Sequence, residues 1–172
     1  MSEAFAAIDF ETSGRASHFA CSVGIARVED GEIVSRFYRL IRPPSSYVMF
    51  SWCHGLYWHD LKDKPSFAEI WPEIEEFIDG VQFLIAHNAR FDRRVLHGCR
   101  EYFGVTGAET PFLDTLKGAR RTLRLPSYSL DAVCDYFNIP LNHHSADSDA
   151  DGCASIFLEL RKLGCPIEDM LI

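Results

Sequence analysis

Four carboxylates and one histidine, in three short segments of a 172-residue chain, have the side chains that bind divalent cations and move protons. They are Asp9, Glu11, Asp92, His144 and Asp149. Carboxylate oxygens suit Mg²⁺ and Mn²⁺, and an imidazole changes protonation near neutral pH, as a general base must. Together they indicate a site that holds two divalent metal ions and hydrolyses a phosphodiester bond.

Asp9 and Glu11 lie at the end of an apolar run, residues 5–10, that predicts a buried strand. Residues two apart on a strand point to the same face, so both carboxylates can reach one cation. A D-x-E pair alone is weak evidence, because strands often end in solvated acids. Here Asp9 interrupts the hydrophobic run, where an unpaired carboxylate is costly, and this favours a ligand.

The other two segments are helix entrances. Asp92 follows the apolar residues 83–85 at a strand-to-helix junction, where α/β sites usually form. Taken alone, Asp92 fits better as a first-turn acid that the helix dipole favours. His144 and Asp149 are five residues apart at the start of the last predicted helix, so they can face one point from the loop and the first turn.

The elements that must position these residues follow from hydrophobic periodicity and from Gly and Pro breakers. Strands are predicted at residues 5–10, 20–28, 32–41, 81–86 and 112–113, and helices at 66–80, 89–103, 115–124, 129–137 and 149–163. Residues 43–65 are predicted to be an irregular, aromatic-rich loop with short helical turns that covers one edge of the site. An antiparallel meander followed by alternating strands and helices predicts one mixed sheet flanked by helices.

Length and composition predict one globular domain, with 47% hydrophobic and 24% charged residues. The six cysteines form no C-x-x-C pair, which disfavours a disulfide framework or a zinc site. The sequence shows neither a membrane-length apolar segment nor a signal-peptide pattern, so we expect a cytoplasmic protein without a membrane partner.

The net charge of −8 disfavours nonspecific adhesion to nucleic acid, but the basic residues are unevenly placed. Eight of the 17 fall between Arg90 and Arg124, and four of these have helical spacing: Lys117, Arg120, Arg121 and Arg124. This basic stripe could meet a phosphate backbone, and a merely solvated face explains it equally well.

The three segments resemble the motifs of the DEDD superfamily of 3′–5′ exonucleases, in its His-containing (DEDDh) branch. The chain looks most like the proofreading epsilon subunit of bacterial DNA polymerase III and its stand-alone relatives. The first motif matches residues 9–14, with Ser13 where a second Thr is common, the second matches residues 87–92, and the third, H-x4-D, matches residues 144–149. The resemblance covers residues 4–163.

The resemblance implies a ribonuclease H-like mixed five-stranded sheet flanked by helices, as a single exonuclease domain over residues 1–172 with its core at about 4–163. It implies two Mg²⁺ or Mn²⁺ ions, the general base His144, and release of nucleoside 5′-monophosphates from a 3′ end. The implied metal ligands are Asp9, Glu11, Asp92 and Asp149. Thr12, Phe91 and Asn88 are the expected substrate contacts.

Several alternatives stay open at this point. His143 adjoins the expected base, and Phe91 could be a core residue. The substrate is expected to be single-stranded DNA or frayed DNA 3′ ends, in proofreading or repair. RNA trimming is the runner-up, and a noncatalytic nucleic-acid-binding module is the alternative from another class.

Nine residues follow Leu163, too few for a docking tail, so we expect independent action and leave a polymerase partner open.

Overall fold

A five-stranded mixed sheet, in the order β3-β2-β1-β4-β5, forms the centre of the protein in a computed structural model that describes residues 4–172. The strands are β1 Ala4–Thr12, β2 Ala20–Glu29, β3 Glu32–Leu40, β4 Leu84–Ala86 and β5 Phe112–Asp114. β1, β2 and β3 are antiparallel, and β4 and β5 join β1 in parallel. The predicted meander and mixed sheet are therefore confirmed.

Seven helices surround the sheet within residues 4–172. They are α1 Ser51–His54, α2 Trp58–Leu61, α3 Phe67–Phe77, α4 Ala89–Phe103, α5 Thr115–Thr122, α6 Leu130–Phe137 and α7 Ala146–Lys162. A capping box opens α3, because Ser66 Oγ accepts from the Glu69 N–H and the Glu69 carboxylate accepts from the Ser66 N–H. No helix in this part of the chain has the length and apolarity that crossing a membrane requires.

β1 divides the core into two layers because its side chains alternate between the faces of the sheet. Phe5 and Ala7 pack beneath α5, α6 and α7, whereas Ile8 and Phe10 pack beneath α3 and α4. The odd-numbered positions of β1 thus face α7. This alternation decides which helix the carboxylates at positions 9 and 11 meet.

Three predicted boundaries were wrong by a few residues. β4 begins at Leu84 rather than at residue 81, because residues 81–83 run beside β1 with isolated backbone hydrogen bonds before the strand ladder forms. α3 ends at Phe77, and the chain then turns to reach Gly80 at φ +73°. α7 begins three residues earlier than predicted, at Ala146, so Asp149 lies at the end of its first turn.

Candidate active site

Three carboxylates meet at the end of β1. Each of Asp9, Glu11 and Asp149 offers an oxygen, and these oxygens all lie within 4.8 Å of one another. Asp9 and Glu11 continue the odd-numbered row of β1 toward α7, which packs against β1 and β2 and carries Asp149. The structure therefore brings the first and third sequence segments together at one point.

Asp92 adjoins this cluster from α4, on the other side of β1. β4 pairs with β1 only through Ala6 and Ala7, so the backbone of β1 has no strand partner on that edge further along. The Asp92 carboxylate fills this position, where its Oδ1 accepts a 2.9 Å hydrogen bond from the Phe10 N–H. Its side chain is fixed by the sheet and is only 2% exposed.

Gly24 on β2 permits the close approach of α7. It lies opposite Asp9, and a Cβ at this position would clash with the backbone at Ala146, the first residue of α7. A clash with backbone cannot be relieved by a rotamer change, so only glycine allows the first turn of α7, and with it Asp149, to reach the sheet. The sequence held a signal that was missed, since glycine inside a strand often marks a close backbone approach.

Burial raises the pKa values of all four carboxyls, and neighbouring carboxylates add to this effect at Asp9, Glu11 and Asp92. Burial, followed by the charges of Asp92, Asp149 and Glu11, raises the pKa of Asp9 well above its usual range. Burial and the Asp149 charge raise the pKa of Glu11 to about 7. Burial also raises the pKa values of Asp92 and Asp149. Without a cation, this environment disfavours the ionised forms of these carboxyls.

This donor set fits a pair of divalent cations. Its donors are carboxylate oxygens, the hard ligands that Mg²⁺ and Mn²⁺ take, and added positive charge would offset the burial and the repulsion that disfavour the ionised carboxyls. Exonucleases of this superfamily generally use divalent metal ions. Asp9, Glu11, Asp92 and Asp149 are the residues that would hold them.

Two histidines, His143 and His144, lie beside Asp149 and contact it in different ways. His143 Nδ1 lies 3.4 Å from Asp149 Oδ1. His144 donates its backbone N–H to Asp149 Oδ2 at 3.2 Å, while its ring lies beside Cys53. His144 has a left-handed backbone, at φ +67°, and one of its ring nitrogens lies within 4.8 Å of an Asp149 oxygen. Both imidazoles therefore adjoin the carboxylate cluster, and the ring of His143 is the one in contact with it.

The loop of residues 43–65 covers this edge of the sheet, as predicted. His54 Nε2 donates to the carbonyl oxygen of Thr12 at 3.2 Å, and its Nδ1 accepts from the Leu56 N–H. Burial lowers the pKa of His54, so a neutral imidazole ties the loop to the end of β1. The sequence analysis missed this positioning role of His54.

The expected substrate contacts occupy the same end of the sheet. Thr12 is buried at the end of β1, Asn88 is exposed with φ +73°, and the Asn88 N–H donates to Asp114 Oδ1. Phe91 is half-buried and packs against the core beneath α4, with the Arg94 guanidinium 5.8 Å from its ring centre. Substrate contact by these residues remains a prediction.

Most side chains of the basic stripe make contacts within the protein. Lys117 Nζ donates to the carbonyl oxygen of Leu171, and Arg121 pairs with Asp169. Arg120 is exposed, and among residues 4–172 it has no ion pair. Arg120 lines two adjacent clefts, of about 510 and 490 Å³, that also share Asn88. It is thus the member of the stripe best placed to meet a phosphate.

The fold and the clustered carboxylates place the chain among the ribonuclease H-like nucleases. A family model described as Exonuclease (RNase T) matches residues 6–157. The chain therefore belongs to the Exonuclease family.

Curated relatives and solved structures agree with the family. The chain is 33% identical over 169 residues to the DNA polymerase III PolC-type of Thermotoga petrophila. That alignment covers 93% of the chain but only 12% of the polymerase. It is 32% identical over 167 residues to the DNA polymerase III subunit epsilon of Rickettsia felis, covering 89% of the chain and 72% of the subunit. Exonuclease X in complex with 5′ overhanging duplex DNA superposes with a TM-score of 0.78 and 25% identity over 97% of both chains.

The raised pKa values predict a pH-dependent stability of the metal-free protein. A carboxyl whose folded-state pKa is raised stabilises the fold below its unfolded pKa, here 4.5 for Glu11, and loses that effect as the pH rises through about 7. We expect the free energy of unfolding in EDTA to fall by about 2–3 kcal/mol over this window from Glu11 alone. Saturating Mg²⁺ should offset most of this loss.

Urea unfolding between pH 4.5 and 8 measures the effect. Burial lowers the pKa values of His54 and His87, which makes stability rise with pH, so the comparison with Glu11→Gln isolates the carboxylate contribution. Glu32→Gln, at an exposed position on β3, is the matched control and should follow the wild type. Parallel profiles for wild type and Glu11→Gln would contradict the assignment.

Proposed function

We propose that this chain hydrolyses phosphodiester bonds one at a time from the 3′ end of single-stranded or frayed DNA and releases nucleoside 5′-monophosphates. The proposal places it in proofreading or repair, with two Mg²⁺ or Mn²⁺ ions as cofactors. The observation that carries the proposal is the cluster of Asp9, Glu11 and Asp149, with Asp92 adjoining it, whose mutual repulsion calls for cations.

The proposed roles follow from the position of each side chain. Asp9, Glu11, Asp92 and Asp149 would hold the cations, whose positive charge would activate water and offset charge on the leaving oxygen. His144 accepts a proton from the attacking water, as its H-x4-D spacing suggests. Its exposed ring lies beside Cys53, with one nitrogen within 4.8 Å of an Asp149 oxygen, and a rotation of the side chain would direct that nitrogen at the water. Rotation of an exposed side chain is fast enough to permit this.

The surface beside the carboxylates fits a single strand. A cleft of about 460 Å³ is lined by Trp52, His143 and His144, among others, and the Trp52 side chain is 82% exposed. An exposed aromatic ring stacks on any base, which suits a strand that is bound without sequence preference. Beyond residues 87–92, the positive charge of Arg120 would attract the phosphates of the same strand.

DNA is favoured over RNA by the relatives. The chain matches DNA polymerase III proteins over nearly its whole length, although it spans only about an eighth of the PolC-type chains. The Exonuclease X structure contains duplex DNA with an overhang. The same similarity to DNA polymerase III proteins supports the proposal that this chain associates with a polymerase.

The test is gel analysis of 5′-labelled DNA and RNA oligonucleotides of the same sequence. We expect a ladder that shortens from the 3′ end with Mg²⁺ or Mn²⁺, disappears in EDTA, and forms faster on DNA. Faster cleavage of RNA would replace the DNA assignment with the RNA-trimming alternative. A ladder that persists in EDTA would contradict the metal-dependent mechanism.

Arg120→Gln should weaken binding of single-stranded DNA and reduce its salt dependence. Loss of one phosphate contact lowers the slope of log K against log[salt] by about 0.7 for a single strand. Binding is measured by fluorescence anisotropy in Ca²⁺, across a range of salt concentrations. Lys162→Gln is the control, because Lys162 lies thirteen residues beyond Asp149 on α7, about 20 Å away. Equal slopes for the two variants would exclude the contact.

A further inference from the structure

A second group of metal-binding side chains, His143, His144 and Asp149, lies next to the carboxylates, and Cys53 contacts its member His144. Cys53 Sγ lies 3.6 Å from His144 Nδ1 and 3.8 Å from His144 Nε2. One ligand atom from each of His143, His144 and Asp149 also lies within 4.8 Å of the others. Cys53 lies on α1 and the histidines lie before α7, so the fold joins segments 91 residues apart.

The types and spacings of these donors differ from those of the carboxylate site. A thiol and imidazoles prefer a softer ion than Mg²⁺, and Zn²⁺ is the common one. With Zn–S near 2.3 Å and Zn–N near 2.0–2.1 Å, two such ligands of a tetrahedral ion lie about 3.5 Å apart. The observed separations are 3.6 Å between Cys53 and His144 and 3.3 Å between His143 Nδ1 and Asp149 Oδ2.

Side-chain accessibility permits the remaining adjustment. The two nitrogens of His144 are almost equally far from Cys53 Sγ, so the sulfur lies beside the ring and the ring must rotate to direct one nitrogen at a shared ion. Both histidines are exposed, and Cys53 is half-buried. The surrounding cleft of about 460 Å³ leaves room for this rotation.

We propose that Cys53, His143 and His144, with Asp149 as the fourth ligand, bind one Zn²⁺ ion that inhibits the enzyme. Coordination occupies the ring nitrogen of His144 that would accept the proton of the attacking water. It also draws Asp149 away from the hydrolytic cations. The inhibitory effect rests on the proposed function, whereas the binding of Zn²⁺ stands independently of it.

Cobalt spectroscopy tests the binding without reference to activity. With excess Mg²⁺ present, we expect one equivalent of Co²⁺ to give a thiolate-to-cobalt charge-transfer band and the intense visible bands of a four-coordinate ion, both removed by Zn²⁺. Cys53→Ala should lose the charge-transfer band, and His144→Asn should weaken binding. Cys165→Ala, which removes a buried cysteine after α7, should keep the full spectrum. A wild-type spectrum without the thiolate band, or one that Cys53→Ala retains, would overturn the site.

Zinc titration of hydrolysis tests the regulation. Changing an outer-shell partner of a metal site costs about tenfold or more in affinity, and loss of a direct ligand should cost at least as much. Relative to its own zinc-free rate, Cys53→Ala should therefore need at least about tenfold more Zn²⁺ for half-inhibition than wild type. Equal inhibition of both would overturn the regulatory role. Absence of hydrolysis in zinc-free wild type would count against the proposed function alone, since the cobalt spectra still decide the site.

Discussion

Asp9→Asn should reduce the rate of 3′-end hydrolysis by on the order of a thousandfold, since it removes a charge and a ligand from the centre of the carboxylate cluster. The same change should stabilise the metal-free protein at pH 8. Asp9 is surrounded by Asp92, Asp149 and Glu11, and these charges together with burial raise its pKa. Asparagine relieves that repulsion, so the melting temperature in EDTA should rise while activity disappears.

The opposite signs distinguish a ligand from a residue that only supports the fold. Activity is measured as initial rates on a 5′-labelled single strand, and stability as the melting temperature with and without Mg²⁺. Asp147→Asn is the matched control, because Asp147 is an exposed acid two residues before Asp149. It should retain activity within about twofold, as surface substitutions usually do little. An Asp9→Asn enzyme that kept a tenth of the wild-type rate would contradict the proposed role.

His144→Asn should lower kcat by about 10²- to 10⁴-fold, the usual contribution of a general base. Asparagine is preferable to alanine here, because His144 has φ +67° and asparagine tolerates the left-handed region. The rise of melting temperature on adding Mg²⁺ should be preserved, since the four carboxylates are unchanged.

His143→Asn is the matched comparison for the base. His143 has its ring nitrogen 3.4 Å from Asp149 Oδ1, closer to the carboxylate than the structure places the ring of His144. We expect its loss to cost less than about tenfold, the scale of a supporting contact rather than of a general base. If the two variants exchanged these effects, His143 would be the base and the H-x4-D spacing would have selected the wrong histidine.

Local sequence patterns predicted most elements because the forces that form them act over a few residues. The apolar period, the Ser66 capping box and the turn at Gly31 each depend on neighbours in the chain. The element ends were less well predicted. The start of β4 depends on where β1 lies, and the start of α7 depends on its approach to Gly24, contacts between residues far apart in sequence.

The sequence by itself determined the family, the mixed sheet and the set of carboxylates, because motif spacing and strand alternation are properties of the chain. Only the tertiary structure decided that Asp92 accepts from the Phe10 N–H, that Gly24 admits α7, and that Cys53 adjoins His144. These contacts join residues 82 to 122 positions apart. Their formation depends on the packing of helices against the sheet, which no local pattern encodes.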